Sequence, residues 1–417
     1  MVGTYRITFL VAAAIALLSF FSSSAQDTAQ SKQLLGLADT LAKDSATYWD
    51  TQKDVVDIIH KVIQKKKTRQ HDIARVHASL LPAFGYTLQT GFAGVVSTNI
   101  GFYPSVDHKS EKISSIYSSL AYTQYKQILF PIQGSIWTKR NIYNIIIEWK
   151  YLNYPSTTFG LGAFSSINKG INIDFSYIRL RQSLLRKIHG NLYAGVGYYY
   201  DYFWNIRQIN PPAGVVTDFQ KYGLTPTATA SGIAFRVLID TRLNQINPQK
   251  GWYVNIVDRP NFTFLGSSNN WQSLLAEFRR YFTLPTRKPS VLAFWSYNWL
   301  TASGKPPYLL LPSTGWDDYS NLGRGYIQGR YRGKQMLYLE AEYRFGITNN
   351  GLLGGVVFAN AQYFSKDFSG QFTTILPAAG AGLRFKLNKF SRTNFCIDYG
   401  FGVEGSRGLF VNLGEVF

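Results

Sequence analysis

Apolar and polar side chains alternate with a period of two over most of the chain after residue 76. In the stretch 191–204, one set of positions is apolar or aromatic throughout, and the other set includes two glycines and an aspartate. The same alternation recurs at 144–151, 337–345 and 394–402. Because successive side chains of a strand point to opposite faces of its sheet, these segments predict strands with one apolar face and one polar or small-residue face.

About sixteen such segments can be placed along the chain. They begin near residues 80, 92, 114, 127, 140, 171, 191, 228, 251, 271, 291, 334, 352, 378, 393 and 408. Transmembrane barrels of bacteria combine an even strand number with an apolar outer face and a polar interior. The predicted fold class is therefore all-β: an antiparallel transmembrane β-barrel of about sixteen strands, preceded by a short helical N-terminal lead.

Residues 1–25 have a different pattern, with Arg6 before an apolar run at 7–21 and then three serines and Ala25. This arrangement is typical of a signal peptide that is cleaved after Ala25. An uncleaved anchor helix is the alternative, but the apolar run is short for a membrane span. We therefore expect an exported protein.

Residues 26–76 place apolar side chains at helical spacing and end in a basic run. The segment is too small for a substantial core of its own, so we predict a helical, basic periplasmic lead. The barrel is predicted to occupy residues 77–417.

The composition narrows the functional classes. The chain has 417 residues, a formal net charge of +19 and a mean hydropathy of −0.10, which excludes a protein of many membrane-spanning helices. Cys396 is the single cysteine, which excludes an intramolecular disulfide and a multi-cysteine metal site. The positive charge is spread through an exported barrel, so we expect lipopolysaccharide phosphates and other outer-membrane lipids as partners rather than nucleic acid.

A soluble β-sandwich also alternates, but its strands are usually shorter and it seldom combines them with a signal peptide and this many aromatic residues. The segment 409–417 is an alternating strand that ends in Phe417. Such an ending resembles the signal by which bacterial outer-membrane barrels are assembled. Its candidate residues are Leu413, Gly414 and Phe417.

The longest stretch without strand alternation is 301–333, which we interpret as a long loop. Loops of this length are uncommon inside a compact domain unless they have a function. The loop contains an acidic pair, Asp317-Asp318, followed by the motif Gly323-Arg324-Gly325-Tyr326. The glycines on either side of Arg324 allow a tight course of the backbone.

This Gly-Arg-Gly-Tyr motif, placed before a strand that ends at Phe345, resembles the Val-Arg-Gly-Phe/Tyr loop of the BamA/TamA superfamily, also known as bacterial surface antigen. The segment 240–252 resembles the Asp-x-Arg…Asn-Pro…Gly turn of that superfamily, and 81–92 resembles its first hairpin. The C-terminal strand is similar to its closing strand. The resemblance covers about residues 80–417 and is strongest from Asp240 onwards.

The resemblance implies a sixteen-stranded outer-membrane barrel whose sixth extracellular loop enters the lumen and pins its arginine against acidic residues of the inner wall. A guanidinium can hold two carboxylate oxygens at once, which fixes a loop at a defined depth. Where the superfamily has Phe-x-Asp, this chain has Asn360, which brings no charge to the arginine. The predicted lumen-loop lock comprises Gly323, Arg324, Gly325, Tyr326, Glu340, Glu342, Asn360 and Asp398.

Typical members of the superfamily carry periplasmic POTRA repeats, and the lead leaves no room for one between Ala25 and residue 77. The chain resembles the branch that lacks an N-terminal domain. The resemblance implies insertion or translocation of outer-membrane proteins or lipids, with a partner that supplies clients. The alternative is a non-catalytic scaffold or plugged pore in an outer-membrane complex. Whether the first and last strands pair along their length discriminates between the two.

We expect no enzymatic activity, no cofactor and no metal. The five histidines form no metal-spaced pair, and the sequence contains no nucleotide-binding loop. The expected location is the bacterial outer membrane. A periplasmic or outer-membrane protein partner and a homodimer both stay open.

Overall fold

The computed structural model describes residues 52–55, 57–58, 76–87, 90–104, 111–365, 374–389 and 392–417. The predicted signal peptide and most of the predicted lead lie outside these residues. None of the helices described is long and apolar enough to cross a membrane.

Seventeen β-strands make up most of the described chain. They are β1 (Val76–Thr87), β2 (Gly91–Phe102), β3 (Ser114–Thr123), β4 (Ile128–Trp137), β5 (Tyr143–Asn153), β6 (Ser156–Thr158), β7 (Ile171–His189), β8 (Leu192–Ile209), β9 (Ala228–Asp240), β10 (Gly251–Asn261), β11 (Trp271–Leu284), β12 (Ser290–Gly304), β13 (Gln335–Gly346), β14 (Leu353–Ser365), β15 (Leu376–Asn388), β16 (Thr393–Gly402) and β17 (Arg407–Leu413). A short helix, α1 (Asp218–Gly223), and 3-10 turns at Lys139–Asn141, Ile167–Lys169, Thr263–Leu265 and Tyr308–Leu310 lie between them.

Within the described residues, each strand pairs antiparallel with the next one along the chain, except that β5 does not pair with β6. Strands β5 and β6 both pair with β7, at Ser176–Arg186 and Ile171–Ile173 respectively, so they are two pieces of one interrupted strand. The sheet therefore has sixteen strands, and the predicted all-β antiparallel fold is confirmed.

The loop between β12 and β13 lies at one end of the barrel, which we call the upper end. The opposite end, where β1 begins, is the lower end. Strand β12 continues to Gly304, so the loop spans 305–334 and begins four residues later than the predicted start at 301. The start differs from the approximate predicted bound because the last residues of β12, 301–304, are small or polar and no longer alternate, although they still belong to the strand.

The two faces of the sheet differ as the alternation predicts. On the outer face, Leu339 is 63% exposed and Val196 is 55% exposed. Glu340, which follows Leu339 in β13, and Asp201, in the opposite phase of β8 from Val196, point inward and are buried. Apolar side chains therefore cover the outside of the barrel, and the charged side chains of the strands lie inside it, where they need partners.

Strands β1 and β17 lie beside each other at the two ends of the sheet. In the part of the chain that the structure describes, no backbone ladder joins them, whereas every other pair of neighbouring strands has one. Strand β17 covers only Arg407–Leu413, because Gly414 adopts a left-handed conformation (φ 93°) and turns the chain out of the sheet. We call the gap between these two strands the seam.

Two described pieces of the lead, residues 52–55 and 57–58, contact the lower end of the barrel. The Lys386 Nζ donates to Gln52 Oε1 at 2.8 Å, and the backbone N–H of Lys389 donates to Asp54 Oδ2 at 3.0 Å. Lys389 Nζ also lies 2.6 Å from Asp57 Oδ2. In the turn between β13 and β14, the Asn350 carbonyl oxygen accepts a hydrogen bond from the Lys53 N–H at 2.9 Å. This part of the lead is thus held by the end of β15 and by the lower turns that precede β14 and follow β15.

Candidate functional site

Loop 305–334 folds into the lumen instead of projecting from the upper end. Its first turn, Tyr308–Leu311, is buried with Trp316 against aromatic residues of β7 and β8. Farther along, Tyr326 and Tyr331 are buried in a second cluster with Trp295 of β12 and Tyr338 of β13. Apolar packing therefore holds the first and the last parts of the loop inside the lumen. The charged middle section lies between these two clusters.

Arg324 is fully buried in this middle section and contacts three carboxylates. Its Nη1 lies 2.6 Å from Asp398 Oδ2, and its Nη2 lies 2.5 Å from Glu342 Oε2. Its Nε donates to Glu340 Oε1 at 3.0 Å. The two glutamates share one face of β13 because they are two residues apart, and Asp398 reaches the same point from β16.

The three acids are balanced by two further arginines of the inner wall. Arg344 bonds Glu342, and Arg384 bonds Asp398. Burial alone would lower the pKa of Arg324, but the three nearby carboxylates more than reverse this effect, so its pKa is raised. Glu415 contacts both of these arginines, so the cluster contains three cations and four anions, and each buried charge has a partner of opposite sign.

The glycines beside Arg324 let the loop backbone approach the wall. Gly323 and Gly325 have φ values of 78° and 108°. A Cβ on Gly325 would lie 2.9 Å from the Cβ of Ala378, and one on Gly400 would lie 2.7 Å from the Gly325 nitrogen. A side chain at either glycine would therefore push Arg324 away from its acids.

Asn360 and Tyr326 hold the backbone around the arginine. Asn360 Nδ2 donates to the Arg324 carbonyl oxygen at 2.9 Å, so this residue binds the main chain and not the guanidinium. A carboxylate could not donate that bond. The Tyr326 hydroxyl donates to the Pro377 carbonyl at 2.6 Å. The structure therefore places all eight residues predicted for the lumen-loop lock in one region. Glu340, Glu342 and Asp398 contact the Arg324 side chain, and Asn360 contacts its main chain.

A second ionic contact, absent from the sequence prediction, holds the loop to the opposite wall. Arg179 of β7 donates from Nη1 to Asp318 Oδ1 at 2.8 Å, and Lys150 of β5 donates to the Asp318 carbonyl at 3.2 Å. Burial would raise the pKa of Asp318, but Arg179 and the cations around it lower it overall. In the sequence, only the acidic pair in the loop and the arginines at inward positions of β7 could have indicated this contact. The loop thus crosses the lumen between two walls.

The three residues of the predicted assembly signal lie at the end of β17. Leu413 ends the strand, and Gly414 turns the chain inward. Phe417 is 2% exposed, and its ring lies 5.1 Å from the ring of Trp295 inside the barrel. The structure thus places the terminal aromatic side chain in the lumen and not on the outer face.

We expect Cys396 to be inert in the folded protein. It is fully buried on the inner face of β16, and its Sγ lies 3.1 Å from the Gly414 carbonyl oxygen, so a reagent has no path to it. A maleimide at neutral pH should label the protein only after denaturation. Rapid labelling of the folded barrel would contradict this expectation.

Comparison with known proteins adds the fold relationship. No family model and no curated protein matches the sequence. Among solved structures, BamA from Haemophilus ducreyi lacking POTRA domains 1–3 aligns with a TM-score of 0.51 and 14% identity over 81% of this chain and 70% of that one. This chain has the BamA barrel fold.

CdiB from Acinetobacter baumannii aligns to the same extent, with a TM-score of 0.51 and 14% identity over 82% of this chain. The alignment spans 60% of the CdiB chain. The resemblance to BamA that the loop motif predicted is therefore confirmed at the level of the barrel fold. At this identity the likeness concerns the fold, and activity has to be argued from the site.

Proposed function

We propose that the protein takes part in the insertion or translocation of outer-membrane proteins or lipids, together with a partner that supplies clients. The observation that carries this proposal is the seam between β1 and β17. Every other pair of neighbouring strands in the described sheet is joined by a ladder. A strand edge without a partner is unusual in a barrel, because closure normally removes all edges.

The chemistry of a free edge suits this role. Its N–H and C=O groups can pair with an extended segment of another chain, which adds a strand to the sheet through main-chain hydrogen bonds. Recognition through the main chain tolerates many side chains, so one edge can serve many clients. In this proposal the seam is the place where a client strand enters the sheet.

The lumen-loop lock supports the same proposal from inside the barrel. Arg324 holds the loop to β13 and β16, and Asp318 holds it to β7. None of these contacts involves β1. The lumen therefore stays filled while the seam is free to widen, which would prevent leakage during insertion.

The outer membrane is the proposed location. The outer face of the barrel carries exposed apolar and aromatic side chains, among them Phe84, Leu120, Trp149 and Leu339. Such a surface is stable in lipid and costly in water. The lower end, with the docked piece of the lead, would face the periplasm, and the net charge of +19 would favour contact with lipopolysaccharide phosphates.

A scaffold or plugged pore is the second candidate, because both the loop and the last residues of the chain fill the lumen. Depletion of the protein followed by quantitative comparison of outer-membrane proteomes separates the two. We expect a set of β-barrel proteins to fall several-fold and to recover when the wild-type gene is restored. An unchanged proteome, with loss only of one complex that contains this barrel, would support the scaffold.

A further inference from the structure

The last three described residues, Glu415–Phe417, occupy a slot at the lower end of the lumen. The ladder between β16 and β17 ends at the pair Phe395 and Leu413. Beyond Gly414 the tail leaves the sheet and touches the lower turn between β9 and β10, where the Glu415 N–H donates to the Ile246 carbonyl at 3.0 Å. We call Glu415–Phe417 the tail and its surroundings the tail slot.

The acidic side chain of the tail is held from both oxygens. Arg384 Nε donates to Glu415 Oε2 at 2.8 Å, and Asn394 Nδ2 donates to Glu415 Oε1 at 2.7 Å. The Glu415 side chain is 1% exposed. A neutral or basic residue here would leave Arg384 with one acid fewer, so the slot selects an acidic side chain at this point.

The main chain and the aromatic ring are held two residues further on. Asn321 Nδ2, from the lumen loop, donates to the Val416 carbonyl at 2.8 Å. Arg344 Nη2 donates to the Phe417 oxygen at 2.8 Å. The Phe417 ring stacks at 28° on Trp295 and lies 6.2 Å from Tyr281. These contacts select an aromatic side chain at the end of the motif.

We infer that the tail slot is a binding site for a peptide motif of the form acidic–any–aromatic. The tail fills it in cis, and the same motif of another polypeptide can take its place when the tail leaves. This inference goes beyond the proposed function, because the slot would bind such a peptide whether or not the barrel inserts clients.

Two features distinguish the slot from ordinary core packing. The residues that contact the tail come from β11, β12, β13, β15, β16, the β9–β10 turn and the lumen loop, so the slot is complete without any contribution from the tail itself. The tail is also joined to the sheet through one glycine in a left-handed conformation. It can therefore leave without breaking the ladder between β16 and β17.

The test uses the full chain with Glu415→Gly, Val416→Ser and Phe417→Gly, purified in detergent, and a fluorescent peptide with the sequence of residues 411–417. We expect saturable binding to this variant and at least about tenfold weaker binding to the wild-type chain, whose slot is filled. Peptides with Phe417→Ala or Glu415→Gln should bind about tenfold more weakly than the native peptide, because each removes one recognised group.

Folding of the variant is checked by the change in its electrophoretic mobility on heating. A second variant, with Trp295→Leu added to the emptied slot, should lower affinity for the native peptide but not for the Phe417→Ala peptide. If the folded variant with the emptied slot binds no peptide, or binds all three peptides equally, the inference is wrong. Because the assay needs no client and no cell, its failure is distinct from a failure of the proposed function.

Discussion

Replacing Arg324 with alanine should release the middle of loop 305–334 and leave the sheet folded. The change removes the cation shared by Glu340, Glu342 and Asp398, and Glu340 loses the most because Arg324 is its sole ionic partner in the described structure. Truncating one member of a buried ion pair costs on the order of 3–5 kcal/mol, and less where water reaches the site. Limited proteolysis should then cut near residues 319–328, and conductance in planar bilayers should rise or fluctuate.

Two variants sharpen this experiment. Arg324→Lys should restore the wild-type behaviour only in part, because an ammonium cannot contact the carboxylates in the planar arrangement of a guanidinium. Lys305→Ala removes an exposed cation at the start of the same loop and should leave both readouts unchanged. If Arg324→Ala keeps the conductance and the protease resistance of the wild type, the packing of Trp316 and Tyr326 holds the loop and Arg324 does not.

A disulfide across the seam should block the proposed insertion of client proteins. The loss of these proteins from the outer membrane should be nearly as large as the loss after depletion of the protein. Outward-facing positions are available in β1 at Leu80 and Phe84, and in β17 at Leu409 and Val411, and cysteines can be paired in all four combinations. A disulfide needs Cα atoms about 5.5 Å apart, so only the combination that matches the register should close. The cells should lose the client proteins when the bond forms and recover them after reduction.

The matched control links two strands that are already paired. Val96 of β2 and Leu120 of β3 are register partners, and both are exposed on the outer face. Cysteines at these two positions should form a disulfide without loss of activity. All variants carry Cys396→Ala, so that the native thiol cannot exchange. Full activity with the seam closed would mean that clients do not enter between β1 and β17.

The strands could be predicted from the sequence because two different environments impose the alternation. Outward positions such as Leu339 face an apolar surrounding, and inward positions such as Glu342 face a charged lumen, so each strand carries a period of two. All sixteen predicted strand starts lie within four residues of those in the structure. The interruption between β5 and β6 was not predicted, because a local break in the hydrogen bonds of a strand leaves no mark in the alternation of its side chains.

The lumen site could be predicted only in part. Arg324 and its three acids followed from the loop motif and from the inward phase of β13 and β16. The contact of Arg179 with Asp318 joins residues 139 positions apart, and nothing local indicates which inward arginine meets the loop. The sequence indicated only that Asn360 brings no charge to the arginine. In the structure its amide donates a hydrogen bond to the Arg324 carbonyl oxygen. The position of Phe417 depends on the turn at Gly414, which alternation alone does not reveal.

The distribution of the acids around Arg324 has a consequence for the order of folding. Glu340 and Glu342 follow the loop directly along the chain, whereas Asp398 lies 74 residues beyond Arg324. Contacts between distant residues form late, because the intervening chain must be ordered first. A nascent barrel that has formed β13 can hold its arginine with two acids, but the third arrives only with β16. Full immobilisation of the loop thus marks the end of folding, and a barrel that lacks its last strands would still have a loosely held interior.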